Sequence, residues 1–147
     1  ELVRHSTEVF ASLATKKNVA ISVAGMDNCP ALYGVREEIQ QVFVNIIGNA
    51  IKYSQTAGSV SISWTRLDDD AFLSFHVSDT GMGIAPEEIP LIFTKYYRTK
   101  GARGHLDGVG LGLSITRKII RSYGGTISVE NNIGRGCTFS FTLPTRP

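Results

Sequence analysis

Asn45, Asn49 and Lys52 follow one another at i, i+4 and i+7 in the stretch 41–54, Gln-Val-Phe-Val-Asn-Ile-Ile-Gly-Asn-Ala-Ile-Lys-Tyr-Ser. At about 100° per residue they share one face of a helix, with Tyr53 at its edge. Ile39, Phe43, Ile46, Ile47, Ala50 and Ile51 take nearly the opposite side, the pattern of an amphipathic helix. Two asparagines inside a helix are a poor local choice, because their amides compete for backbone hydrogen bonds. A stripe of amide, amide and ammonium is therefore expected to serve a ligand. A carboxamide oxygen suits a hard cation such as magnesium, and the ammonium beside it suits a phosphate. The competing reading is an ordinary solvated face.

Asp79 is the second chemical centre. Leu73, Phe75 and Val77 alternate along one strand face, and Asp79 continues that face by the period of two. A carboxylate turned towards the apolar side needs a hydrogen-bond partner, and an exocyclic amine such as that of adenine would supply one. Thr80-Gly81-Met82-Gly83-Ile84 follows directly; its glycines permit a sharp turn and close approach of a flat ligand. Capping of that turn alone is the plainer role for Asp79. Further on, Gly108-Val109-Gly110-Leu111-Gly112-Leu113 opens a helix, where free N–H groups and the helix dipole attract an anion. Tight packing of a glycine-lined helix on a sheet is the alternative. No Gly-Lys-Ser/Thr follows, so this is not a P-loop, and neither a dinucleotide fingerprint nor a protein-kinase lysine strand is present.

Around these residues the chain reads as alternating helices and strands. Residues 2–16 have mostly helical spacing, ended by Asn18, and Val19, Ile21 and Val23 make a short strand. The stripe-bearing helix is expected from Val35 to Ser54. Val60, Ile62 and Trp64 alternate with serines as a half-buried strand, joined through a solvated Asp68-Asp69-Asp70 turn to Phe72–Ser78. Pro86–Phe93 allows one short helix. Beyond it, 96–108 shows no periodicity, and such a stretch in a compact domain reads as a lid or binding loop. A helix from Leu111 to Tyr123 stops at Gly124-Gly125, and strands at Thr126–Glu130 and Cys137–Leu143 close the chain. Adjacent strand pairs mixed with helices favour an α/β two-layer sandwich, helices over one face of a mixed sheet.

With 147 residues, one domain burying about 70% of its unfolded surface is expected. The net charge of +2 is too small and too evenly spread to imply nucleic acid or an acidic membrane surface. Cys29 and Cys137 form no metal-ligand cluster and are read as free thiols in a reducing compartment. No run reaches the ~20 apolar residues of a membrane span. Glu1-Leu2-Val3 enters a helix as if already under way, so a piece of a larger protein is expected. His5 and His76 are read as structural, and His105 as a solvated loop residue.

The blocks, in this order, resemble the catalytic, ATP-binding domain of two-component sensor histidine kinases, in the GHKL superfamily. Asn45–Tyr53 is similar to the N box and Asp79–Ile84 to the first glycine box. Ile92–Arg98 resembles the F box, Gly108–Leu113 the second glycine box, and 126–143 the closing hairpin. The resemblance implies the Bergerat α/β fold, a mostly antiparallel mixed sheet with a long ATP lid at about 85–110. It implies ATP and magnesium: Asn49 on the metal, Asn45 in the same cluster, Lys52 on phosphate and Tyr53 near the nucleotide. Asp79 would read the adenine amine, with Gly81, Gly83 and Ile84 shaping the pocket. Phe93 would anchor the lid and Arg98 reach the phosphates. Gly108, Gly110, Leu111, Gly112 and Leu113 would wrap them, and Thr138 would lie on the adenine side.

Two departures stand out: Val35 occupies the place of a frequent Asp, so the helix should be capped differently, and Cys137 that of a frequent Ser. Superfamily ATPases such as gyrase-type topoisomerases carry a Glu where this chain has Asn45. An amide cannot take a proton from water, which favours transfer to an external nucleophile. The resemblance thus implies a histidine protein kinase whose 17–147 is catalytic and whose 1–16 leads to an upstream dimerisation domain. That domain would carry the phosphoacceptor histidine, and a response regulator would receive the phosphoryl group. A cytoplasmic, monomeric fragment of a homodimeric parent, membrane-anchored or not, is implied, with no nucleic acid and no direct membrane contact. A serine kinase of the anti-sigma type and a non-catalytic nucleotide-binding scaffold are the alternatives.

Overall fold

The structure is a computed structural model and describes residues 1–95, 97 and 112–147. Its elements are α1 (Leu2–Val9), α2 (Ala11–Lys17), β1 (Ala20–Val23), α3 (Arg36–Tyr53), β2 (Ser59–Leu67), β3 (Phe72–Asp79), α4 (Gly112–Ser122), β4 (Ile127–Asn131) and β5 (Cys137–Pro144). The sheet runs β1-β2-β3-β5-β4. Only β1 and β2 pair in parallel; the other three pairings among the described residues are antiparallel. This is the mixed, mostly antiparallel sheet that the sequence implied.

Period-two alternation sorts the sheet into two unlike faces. Val60, Ile62, Leu73, Phe75, Val77, Phe139, Phe141 and Leu143 are buried on one. The other is rich in hydroxyls, with Ser61, Ser63, Ser74, Ser78, Ser140 and Thr142. There the His76 ring sits between Ser140 and Thr65, at 3.0 and 3.4 Å, the structural role expected of it. Among the described residues, helices cover only the apolar face. α3 lies in the middle, flanked by α1 and α4, and seats Phe43 on Phe75 and Phe141 with ring centroids 5.0 and 5.5 Å apart. Truncating a ring so packed typically costs about 3–5 kcal/mol, so this cluster fixes α3 against β3 and thereby sets the geometry of anything built between them.

Three expectations are revised. The helix over 2–16 is two helices, broken at Phe10 (φ −103°, ψ 10°); the ring leaves the helical path to lie over Gly48 of α3. Pro86–Phe93 contains only a 3₁₀ turn at Ile89–Leu91, because Pro90 has no N–H to continue a helix. The strand read at 59–65 runs on to Leu67. Asp68, Asp69 and Asp70 then turn the chain with φ of 51°, 52° and 66°, a left-handed run that Asp tolerates better than most residues.

The start of α3 answers the question posed by Val35. No side-chain cap comes from that residue. Instead the Tyr123 hydroxyl accepts the Val35 N–H at 2.9 Å and donates to Glu38. Glu38 is the third helical residue, so the pair reproduces the glutamate half of a capping box with a phenol interposed. At the other end, Lys17 Nζ donates to the carbonyls of Ile51 and Lys52, at 2.9 and 2.5 Å. A cation on the last carbonyls of a helix is favoured by the dipole.

Candidate functional site

Asp79 ends β3 on the buried face and is 5% exposed. Its Oδ1 accepts the Gly81 N–H at 2.8 Å, so the turn role foreseen for it is real. That contact leaves the second oxygen, Oδ2, which receives the Cys137 thiol at 3.4 Å. Burial first, and then the Asp79 carboxylate, push the Cys137 thiol far above its ordinary range, so it stays a neutral donor. Around this carboxylate the glycines are obligatory for different reasons. A β-carbon on Gly81 would come within 2.3 Å of the Tyr53 carbonyl, and one on Gly136 within 1.9 Å of the Asp79 carbonyl. Gly83 has φ +72°. The end of α3, the turn after β3 and the start of β5 are therefore in direct backbone contact.

Asn131 and Asn132 hold that arrangement together. The Asn131 amide accepts the Ile84 N–H at 2.9 Å and donates to the Ile84 carbonyl at 2.6 Å, copying a strand pairing with one side chain. Asn132 donates to the Asp79 carbonyl and to Ser78, at 3.1 and 3.0 Å. Thr138 donates to Asn132 at 2.6 Å and lies 3.0 Å from Ser78. Thr138 pairs with Ser78 in register and points to the hydroxyl-rich face, away from Asp79. Cys137, not Thr138, is the β5 residue beside the carboxylate. Counting back by twos from buried Phe139 would have found it. Asn131 and Asn132 fall within the 126–143 hairpin, and no local signal in the sequence marks their contacts with residues 78–84.

On α3, Asn45, Asn49, Lys52 and Tyr53 are partly exposed, while Ile46, Ile47, Gly48, Ala50 and Ile51 between them are buried. Asn45 Nδ2 donates to Thr116 at 3.0 Å and towards the Gly112 carbonyl at 3.3 Å, tying α3 to the first turn of α4. Asn49 stands one turn later, between that junction and the Tyr53–Gly81 junction. The Lys52 ammonium rests 5.6 Å from the centroid of the Phe10 ring. Among the described residues the nearest atom to a β-carbon on Gly112 would be Asn45 Cγ at 3.9 Å. Packing among the described residues therefore makes no demand for a glycine there. Leu113 and Ile84 pack on the core's margin. Phe93 is 8% exposed, with its ring centroid 6.3 Å from that of Phe139 and Arg117 5.7 Å above it; Tyr97 donates to Glu88 at 2.7 Å. These contacts fasten the near end of the stretch read as a lid. Arg98, Gly108, Gly110 and Leu111 lie outside the described residues, as do Lys100, Arg103 and His105.

The described residues contain no group of three or more His, Cys, Asp or Glu that could hold a metal. A cation at this site would need oxygens from its ligand. The Asn49 carboxamide fits that arrangement, since magnesium commonly binds through few protein groups and substrate phosphates. A buried carboxylate, its glycine turn and the amide-and-ammonium stripe thus lie on adjoining segments, beside the start of α4.

Residues 34–147 match the family described as histidine kinase-, DNA gyrase B- and HSP90-like ATPase. The chain is 37% identical, over 143 residues and 97% of its length, to the adaptive-response sensory kinase SasA of Crocosphaera subtropica, of which it spans 37%. The solved catalytic domain of the histidine kinase ThkA, nucleotide-free, superposes with a TM-score of 0.82 at 31% identity, covering 100% of this chain and 92% of that one. ShkA, solved full-length in complex with AMPPNP, gives 0.82 at 30% identity over 97% of this chain and 29% of that one. A complex of ThkA with the response regulator TrrA gives 0.79 at 27% identity, over 99% and 40%. No described helix is long and apolar enough to cross a membrane. Fold and sequence agree, and the chain belongs to the histidine kinase-, DNA gyrase B- and HSP90-like ATPase family as a sensor histidine kinase catalytic domain.

Proposed function

We propose that this domain binds ATP with magnesium in the cleft between α3, the turn after β3 and the start of α4. It would present the γ-phosphate to a histidine on a dimerisation domain of its parent, for relay to a response regulator. The observation that carries the reading is Asp79: a carboxylate at 5% exposure with one oxygen fixed by its own turn and the other beside a thiol. A buried carboxylate needs donors, and an adenine amine supplies one in the plane of the ring. Asn49 would hold the magnesium through its carboxamide oxygen, and the ion would neutralise charge on the phosphates. Lys52 would face the phosphates from the same helix, with Arg98 and Gly108–Leu113 as further phosphate contacts. Asn45 contributes no base, and phosphoryl transfer depends mainly on positioning and charge stabilisation. The AMPPNP complex of ShkA and the TrrA complex of ThkA support nucleotide binding and relay.

Calorimetric titration of ATP, with and without magnesium, tests the binding. In Asp79→Asn the amide turns a donor towards the purine amine, and affinity should fall at least about a hundredfold, the loss of a charged hydrogen bond with an unpaired donor left buried. Undiminished affinity in that variant overturns the adenine assignment. For transfer, the parent's helical domain is added in trans with labelled ATP. Acid-labile, base-stable label on its histidine is the expected product; label on serine, or none despite ATP binding, counts against a histidine kinase.

A further inference from the structure

Phe10 touches the nucleotide-facing helix at two points one turn apart. Its ring covers Gly48 so closely that a β-carbon there would stand 2.4 Å from the ring's far carbon. The ammonium of Lys52 lies 5.6 Å from the ring centroid, within the range of a cation–π contact. Both ends of the segment that delivers the ring are fastened. Val3 and Ser6 of α1 are buried, and Lys17 of α2 binds the carbonyls of Ile51 and of Lys52 itself. The bend at Phe10 is thus held on both sides, and it aims an aromatic face at one particular charge.

We propose that Phe10 is a positioning residue for Lys52, holding the ammonium on the phosphate side of α3 before the nucleotide arrives. This rests on the reading of Lys52 as a phosphate contact. A lysine free in solvent samples many rotamers, and restraining it beforehand lowers the ordering cost of binding. Filling the gap over Gly48 needs only an apolar side chain. Holding the ammonium needs a π face. The two roles are separable because leucine and methionine can do the first and not the second.

The experiment compares ATP with adenosine, which has the purine and lacks the phosphates. In Phe10→Leu, and in Phe10→Met as a second apolar filler, ATP affinity is expected to fall about two- to fivefold, the worth of an exposed cation–π contact. Adenosine affinity should be unchanged in both. In a Lys52→Met background, Phe10→Leu should have no further effect on ATP. An equal loss for both ligands, an unchanged ATP affinity, or a full effect persisting without Lys52 each overturns the role given to the ring. Wild-type protein that binds neither ligand removes the nucleotide reading itself, and this inference with it.

Discussion

Asp79 divides its two oxygens between a backbone N–H and a thiol, and the thiol has the larger consequence for solution behaviour. Cys137 is buried beside a carboxylate, and both burial and that charge disfavour its thiolate. In the unfolded chain it would ionise near 9.0; in the folded chain it keeps its proton well beyond that. The native state therefore binds more protons than the unfolded state above about pH 9, and stability falls as pH rises there. The slope for one proton is at most about 1.4 kcal/mol per pH unit. Cys29 shifts the same way through burial, so the effect is read as a difference. Cys137→Ser keeps a donor for Asp79 and removes the titration. Urea unfolding at about pH 8 and about pH 10 should show the variant losing less stability than the wild type over that interval; parallel losses would show that Cys137 titrates alike in both states.

At the scale of elements, α3 bears the N-box side chains and is held at both ends by residues distant in sequence. Tyr123, just past the end of α4, accepts the Val35 N–H and donates to Glu38. Tyr123→Phe keeps the ring that packs on Gly34 and removes both bonds. It should destabilise the domain by about 1–2 kcal/mol, the usual cost of a lost cap, seen as a lower urea midpoint at unchanged m. An unchanged midpoint would mean that water caps α3 equally well. The same helix shows what sequence does and does not reveal. Its span was legible because the apolar period, the flanking residues and the Asn-Asn-Lys stripe all agree. Its caps were not, since a phenol some 85 positions away leaves no local trace. The break at Phe10 was hidden likewise: residues 2–16 keep helical spacing on both sides, and only the gap over Gly48 explains the bend. Cys137 was legible in principle, because strand alternation places it on the Asp79 face.

Across the whole molecule, the cleft is where otherwise separate parts of the chain come together. The end of α3 meets the turn after β3 through Gly81, and the β4–β5 loop meets the same turn through Asn131 and Asn132. The start of α4 meets α3 through Asn45. A nucleotide lying among these four segments would cross-link pieces that the sheet and the aromatic cluster leave joined only at their margins. Binding to the folded state alone stabilises it by mass action, by about 2.7 kcal/mol at a hundred times the dissociation constant. For a domain of this size that corresponds to a rise of roughly 5–10 °C in melting temperature. ATP with magnesium should produce that rise in the wild type. Inorganic tripolyphosphate with magnesium, which can meet Lys52 but offers no purine to Asp79, should produce a much smaller one. Asp79→Asn should respond to ATP no more than the wild type responds to tripolyphosphate, because both combinations lack the same contact. A full ATP shift in that variant would place the purine elsewhere, and the carboxylate would then be left with only the turn it caps.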